Sequence, residues 1–192
     1  KLQLVLNAIF HLEASQGNLA WADYEGIKRH PAVKTAIPIA VGDNLRGYRI
    51  VGTLPELFEK VEFAPGKKFS VAPGGKFFGS APDAREAVAG AFAAQKLGLK
   101  VGDTFEVNDI QARIVGICKV KRAFTGGPFV YTTYDRAKGY TLGARRTLSF
   151  MLVEPQKGVT PAELCDRIER GTGLKAWTSD TVIWSWGERS LA

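Results

Sequence analysis

Apolar positions along the chain fall into blocks whose spacing switches between three or four residues and two. Leu54, Leu57, Phe58 and Val61 recur at i, i+3, i+4 and i+7, the signature of a short helix with one buried face. Thr53 and Glu56 at its start read as a capping box. Trp21, Tyr24 and Ile27 recur every third residue and predict a second helix. Lys28, Arg29 and His30 crowd its last turn, where cations suit the helix dipole, and Pro31 stops it. Leu164, Cys165 and Ile168 mark the inner face of a third helix. Thr160-Pro161-Ala162-Glu163 opens it as a capping box with proline at the first helical position, and Gly171 and Gly173 end it.

Other blocks have the shorter period or read as continuous apolar runs. Residues 33–41 and 45–53 predict two strands joined by a turn at Gly42-Asp43-Asn44. Pro38 must then lie at an edge or a bulge, because it has no N–H for a ladder. Residues 103–107 and 111–120 predict strands that pair across Asn108-Asp109. Further strands are expected at 126–134, 146–155 and 174–179. Residues 2–10 fit either a strand covered on both faces or a short helix. From 83 to 97 local propensity favours helix, weakened by Gly90, with Gly98 suited to a left-handed stop.

Composition changes at Ala64, where "APGKKFSVAPGGKFFGSAPD" reads as linker. Two β-α-β units, 2–53 (with an extra hairpin strand) and 147–179, then lie at opposite ends of the chain. A small β-barrel or curled sheet with one helix lies between them. The expected class is α+β: a split mixed α/β subdomain of residues 1–63 plus 146–192, carrying residues 64–145 as an inserted, small β-rich subdomain.

The 192 residues, 45% of them hydrophobic, suffice for one sizeable core or two small ones. The net charge of +7 and a pI of about 9.5 favour anionic partners. No basic run exceeds a pair and no nucleic-acid fingerprint accompanies it, so nucleic acid is not expected as a partner. The alternative is a basic nucleic-acid-binding module whose face holds Lys119, Lys121 and Arg122. Cys118 and Cys165 are too few for a disulfide framework and wrongly spaced for zinc. No apolar run reaches the ~18 residues of a membrane span. The chain starts at Lys1 and its only methionine is Met151, so it reads as a segment of something longer.

Chemistry is sparse. There is no phosphate-binding G-x-x-x-x-G-K-[ST] motif, and "VAPGGKFFGS" lacks the strand-to-helix context that aims amides at a phosphate. His11 and His30 belong to no metal-binding pattern, and no G-x-S-x-G elbow marks a nucleophile. Cys118 lies mid-strand, a packing position. No catalytic residue, cofactor site or metal site is expected. Phe77, Phe78 and Phe124, on loops, either anchor a protein partner or tuck into the local core. Trp184 and Trp186, near Arg189, suit a membrane interface or packing against the split domain.

A resemblance adds to this. "EAVAGAFAAQKLGLKVGDTFEV" followed by "QARIVGICKVKRAFTGGPFVYTTYDRA" resembles the extracytoplasmic core domain of MacB/FtsX-type ABC transporter permeases. "WADYEGIKRHPAVKTAIPIAVGDNLRGYRIVGTLPELFE" is similar to the same family's helix, strand and "GT…lF" segment. The resemblance covers about residues 2–180 and rests on glycines and apolar positions. It implies a split α/β subdomain with a β-rich insertion, lying between two membrane helices outside this segment. It also implies a short strand near Glu86–Ala89 and a helix from about Gly90, against the local propensity. The implied protein sits in a bacterial cytoplasmic membrane with this domain facing the periplasm. Its implied partners are a separate cytoplasmic ATPase, a second permease copy, and a periplasmic adaptor or lipoprotein. The implied work is coupling of ATP hydrolysis to substrate export, extraction or partner activation, with no catalytic residue in this domain.

Overall fold

The computed structural model describes residues 19–64, 66–81, 84–107, 109–119, 129–139 and 148–178. Helix α1 (Trp21–Lys28) leads into a long strand, β1 (Val33–Leu45), and then β2 (Tyr48–Thr53). A short helix α2 (Glu56–Lys60) and three short strands follow: β3 (Glu62–Ala64), β4 (Lys67–Lys68) and β5 (Ser70–Val71). Next come β6 (Glu86–Gly90), α3 (Ala91–Leu97), β7 (Thr104–Val107), β8 (Ile110–Lys119), β9 (Phe129–Thr133) and α4 (Tyr134–Gly139). The last described elements are β10 (Phe150–Pro155) and α5 (Pro161–Thr172). The class is α+β, as expected from the sequence.

One mixed sheet runs in the order β10-β1-β2-β9-β6-β8-β5, with β7 also on β8. It crosses the division expected at Ala64, because β2 pairs in parallel with β9 from Arg49↔Phe129 to Thr53↔Thr133. The described strands of the β-rich middle therefore extend this sheet. β1 hands the sheet over: residues up to Ile39 pair with β10, and residues from Ala40 pair with β2.

Alternation along the strands assigns the two faces. Ile37, Ile39 and Val41 of β1 join Leu152, Val51, Phe129, Tyr131, Val88 and Cys118 in one cluster. Leu57, Phe58 and Val61, from and just after α2, cover that face. Ala36 and Ala40 point the other way, against Tyr24 and Ile27 of α1, Tyr134 of α4, and Leu164 and Ile168 of α5. Further along, Ile50, Ala87, Ala89, Ile114 and Val130 pack with Ala94 of α3. A bulge at Val115 keeps this pattern in step. The β6–β8 register moves from Ala87↔Ile114 to Val88↔Gly116, which turns Ile117 to the α3 side and Cys118 to the α2 side.

Several expectations hold. β7 and β8 pair as a hairpin from Thr104↔Arg113 to Val107↔Ile110. Gly98 ends α3 at φ 69° and Gly173 ends α5 at φ 72°. Thr160 and Glu163 form the reciprocal capping box, with proline in the first turn. The strand at 86–90 followed by a helix matches the family resemblance and corrects the single helix that propensity favours. Ala87, Val88 and Ala89 are buried between β8 and β9, and that central position overrides the helix preference of alanine.

Four local readings are corrected. The β1–β2 turn is Arg46-Gly47, at φ 51° and 90°, the geometry of a two-residue hairpin whose twist matches its strands. The Gly42-Asp43 region becomes a register shift inside the ladder instead. Thr53 does not cap α2: Pro55 holds the cap position, and the Thr53 hydroxyl donates to the Pro38 carbonyl at 3.0 Å. That bond explains Pro38. The Ile39 carbonyl accepts from Ser149 on the β10 side, so Pro38 presents its backbone to the β2 side, just outside the ladder that starts at Ala40. Its missing N–H therefore costs no sheet bond. The linker expected after Ala64 is partly ordered on β8, where β5 pairs Ser70↔Lys119 and Val71↔Cys118. Residues 174–178 form no strand; Leu174 and Ala176 pack against the α5 core irregularly. Residues 2–10 lie outside the described residues.

Packing and capping make four substitutions informative. A β-carbon on Gly52 would overlap the Ala137 side chain, because α4 crosses β2 there. Gly52→Ala should lose about 1–3 kcal/mol in urea unfolding. Gly26, inside α1 with open space where a β-carbon would sit, should gain up to ~1 kcal/mol as alanine in the same assay. At the α5 start, the Thr160 backbone N–H first, and then its hydroxyl, hold the Glu163 carboxyl below its ordinary 4.5. A lowered folded value means the bond stabilises above the ordinary value and is lost as pH falls through the lowered one. Thr160→Ala should cost about 1 kcal/mol at neutral pH. Glu163→Gln, which removes the titrating group itself, should flatten the acid limb of a stability–pH profile; an unchanged limb would show that the box carries no linkage.

Candidate functional site

The segment after β5 builds the most distinctive local structure. Ala72 donates its N–H to Ile117 and Lys76 donates to Val115, both at 2.8 Å, so the segment lies along the edge of β8. Two glycines permit that approach. A β-carbon on Gly116 would overlap the Lys76 carbonyl, and one on Gly75 would sit 3.0 Å from the Gly116 α-carbon. Past this contact the chain turns inward with Phe77 and Phe78.

Both rings meet Phe58 of α2. Phe77 stacks on it, with centroids 4.5 Å apart and planes 10° apart. Phe78 meets it edge-on at 5.3 Å, as do Phe69 at 5.6 Å and Tyr131 at 5.6 Å. These are the separations aromatic pairs prefer. Phe78 is 2% exposed and belongs to the core, and Phe77 is half-buried against it. The local-core alternative therefore describes Phe78, whereas Phe77 keeps an accessible side. Phe124, Trp184, Trp186 and Arg189 lie outside the described residues, as do Lys121, Arg122 and His11.

A carboxylate clamps the turn. Glu86, at the start of β6, accepts from the Lys76 ammonium at 2.6 Å and from the Gly79 N–H at 3.0 Å. Burial pushes its carboxyl up, but the Lys76 and Gly79 hydrogen bonds outweigh that and hold it below the usual value. The clamp fixes the turn that delivers Phe77 and Phe78. Sequence reading missed it because Lys76 and Glu86 are ten residues apart across a segment that reads as linker.

Other candidate groups are structural. His30 accepts from the Ala32 N–H through Nδ1 at 3.1 Å, closing the turn after α1. Neither cysteine is in a disulfide: Cys118 is buried in the aromatic core, and burial raises the Cys165 thiol above its ordinary value. Burial likewise raises the Tyr131 hydroxyl well above its usual range. Among the described residues no group of three His, Cys, Asp or Glu side chains is placed to hold a metal ion. Among them, too, no helix is long and apolar enough to cross a membrane.

The surface carries large apolar side chains that sequence reading did not single out. Phe92, Val101 and Trp177 are exposed. Phe92 could have been noticed, because α3 turns Ala93 and Ala94 inward and leaves the lone aromatic outside.

Comparison with known proteins fits this architecture. The model of the MacB-like periplasmic core domain matches residues 3–170. The periplasmic region of MacB from Actinobacillus actinomycetemcomitans superposes with a TM-score of 0.64 at 16% identity, covering 89% of this chain and 84% of that one. The extracellular domain of the noncanonic ABC-type transporter YknZ from Gram-positive bacteria superposes with a TM-score of 0.58 at 16% identity, covering 82% of this chain and 86% of that one. No curated protein matches the chain. The chain therefore belongs to the MacB-like periplasmic core domains, the non-catalytic, periplasm-facing part of an ABC transporter permease.

Proposed function

We propose that this domain transmits movement. In this reading a separate cytoplasmic ATPase drives the permease, two permease copies work together in a bacterial cytoplasmic membrane, and the domain passes the resulting motion to the periplasmic side. The outcome is export or extraction of a substrate, or activation of a partner. The family match over residues 3–170 carries the reading. The mechanical support is the unbroken sheet from β10 to β5, which ties elements near both ends of the chain to the aromatic platform on β8.

The split α/β subdomain (1–63 plus 146–192) and the insertion (64–145) would then move as one body, since β2 and β9 pair across their division. Partner contact through Phe77 and Phe124, with Phe78 and Phe58 as the buried base, belongs to the same proposal, the partner being a periplasmic adaptor or lipoprotein. So does a membrane-proximal place for Trp184, Trp186 and Arg189.

Spin labels test this in the full-length permease reconstituted with its ATPase. Placed at Lys157 and Ser70, on opposite margins of the sheet, they should keep one separation within a copy whether nucleotide is bound or not. The Lys157–Lys157 distance between copies should change on ATP binding. A fixed distance between copies, or a change within one copy as large as that between copies, would sink the transmission reading.

A further inference from the structure

One end of the sheet gathers a surface that nothing above uses. β2 starts at Tyr48, and β9 starts at Phe129, which pairs with Arg49. β6 ends at Gly90, paired with Cys118 beside Lys119 at the end of β8. The Arg46-Gly47 turn and the first turn of α3 therefore share this end. Phe92 stands there 45% exposed. Its ring lies 6.5 Å from that of Tyr48, and the Lys96 ammonium lies 5.7 Å from its centroid. A ring held by an aromatic neighbour under a cation is a fixed apolar anchor with positive charge beside it.

Charge is segregated around it. The chain holds 19 Asp and Glu, yet residues 45–53, 87–102 and 110–134, which supply this end of β2, β6, α3, β8 and β9, contain none. They bring Arg46, Lys96 and Lys119 to it, while Arg49, level with Phe129, faces the α2 side of the sheet. Asp43, on β1, is the nearest carboxylate along the hairpin. Arg46 adds a second observation: it is one of only two non-glycine residues at positive φ among those described. At φ 51° it occupies the hairpin position that asparagine or glycine fills most readily.

We propose that this end of the sheet docks an acidic protein segment that seats an apolar side chain against Tyr48 and Phe92. Charge complementarity selects the occupant. A second copy of a chain carrying +7 would meet like charge. A lipid surface suits tryptophan, and all four tryptophans lie outside the three segments. Tyrosine, phenylalanine and arginine together are the side chains enriched at protein contacts. The proposal rests on the transporter reading only for where the partner resides, namely outside the membrane.

The test titrates a short fluorescein-labelled peptide of glutamates carrying two leucines against the whole chain, following anisotropy, with phosphatidylglycerol vesicles in parallel. Saturable peptide binding is expected, weakened at least tenfold by Phe92→Ala, by Lys96→Glu and by 0.5 M salt, and unchanged by Trp177→Ala. All three altered side chains are exposed, and matched thermal midpoints would keep folding out of the comparison. Absent binding, equal affinity in Phe92→Ala, or preference for the vesicles would overturn the proposal. Peptide binding by a chain whose parent frame lacked flanking membrane spans would remove the transporter reading and leave this one. A membrane-anchored parent that ignored the peptide would do the reverse.

Discussion

The parallel pairing of β2 with β9 is the contact on which the rest depends. It joins the β1–β2 hairpin to a strand some eighty residues later, at five register positions from Arg49↔Phe129 to Thr53↔Thr133. Parallel strands need a crossover, and here the crossover is the whole middle of the chain. Loop closure over that length costs only a few kcal/mol more than over a short one, because the cost grows with the logarithm of length. The reward is burial of both faces: Ile50 and Val130 fall on one side, Val51, Phe129 and Tyr131 on the other. Gly52 shows how tight the junction is, since α4 follows β9 directly and its Ala137 occupies the space a side chain on β2 would need.

From that junction the two faces diverge in character. The face under α1, α4 and α5 is aliphatic, with Tyr24 and Tyr134 at its aromatic margin. The opposite face is built around Phe58, which meets four other aromatic rings. A helix of five residues could not cover that face alone. The segment after β5 completes the cover, held down by the Gly75–Gly116 approach and by Glu86. A loop packed in this way is restrained at three kinds of contact: backbone bonds to β8, stacked rings and an ion pair. The pair itself is partly exposed and contributes little by itself; its value lies in fixing the turn that aims the rings.

What could be read from sequence follows the range of the interactions. Capped helices were legible because Thr160, Pro161 and Glu163 act within one turn. The β7–β8 hairpin was legible for the same reason, its turn and alternation lying in one stretch. The β6 strand was not, because only its neighbours β8 and β9 make alanines extended there. Thr53 was misassigned because its partner, the Pro38 carbonyl, lies in another strand. The aromatic segment carried linker composition, yet its glycines serve close packing as well as freedom to turn. Of the candidate aromatics, sequence could mark Phe77 and Phe78 but could not separate the buried ring from the half-buried one. Phe92 and Tyr48 escaped notice because the sheet, not the sequence, makes them neighbours.

The distribution of charge argues for a division of labour within this fold. Carboxylates cluster where the domain secures itself: Glu86 on the aromatic turn, Glu154 against Lys34 at the β10 margin, Glu163 at the α5 cap and Glu169 beside Lys175. The strand ends at Arg46 and Lys119, with Lys96 on α3, lack such carboxylates in their own segments. Stability gives no reason for that imbalance, since like charges brought together by a sheet repel and raise the free energy of the folded state. A cost of that kind persists most readily where an anionic partner offsets it. The same end holds an arginine at a left-handed turn position and an exposed phenylalanine, each of which adds a further cost to the isolated domain. Three such costs at one end of an otherwise well-packed sheet point to a surface shaped by what it meets.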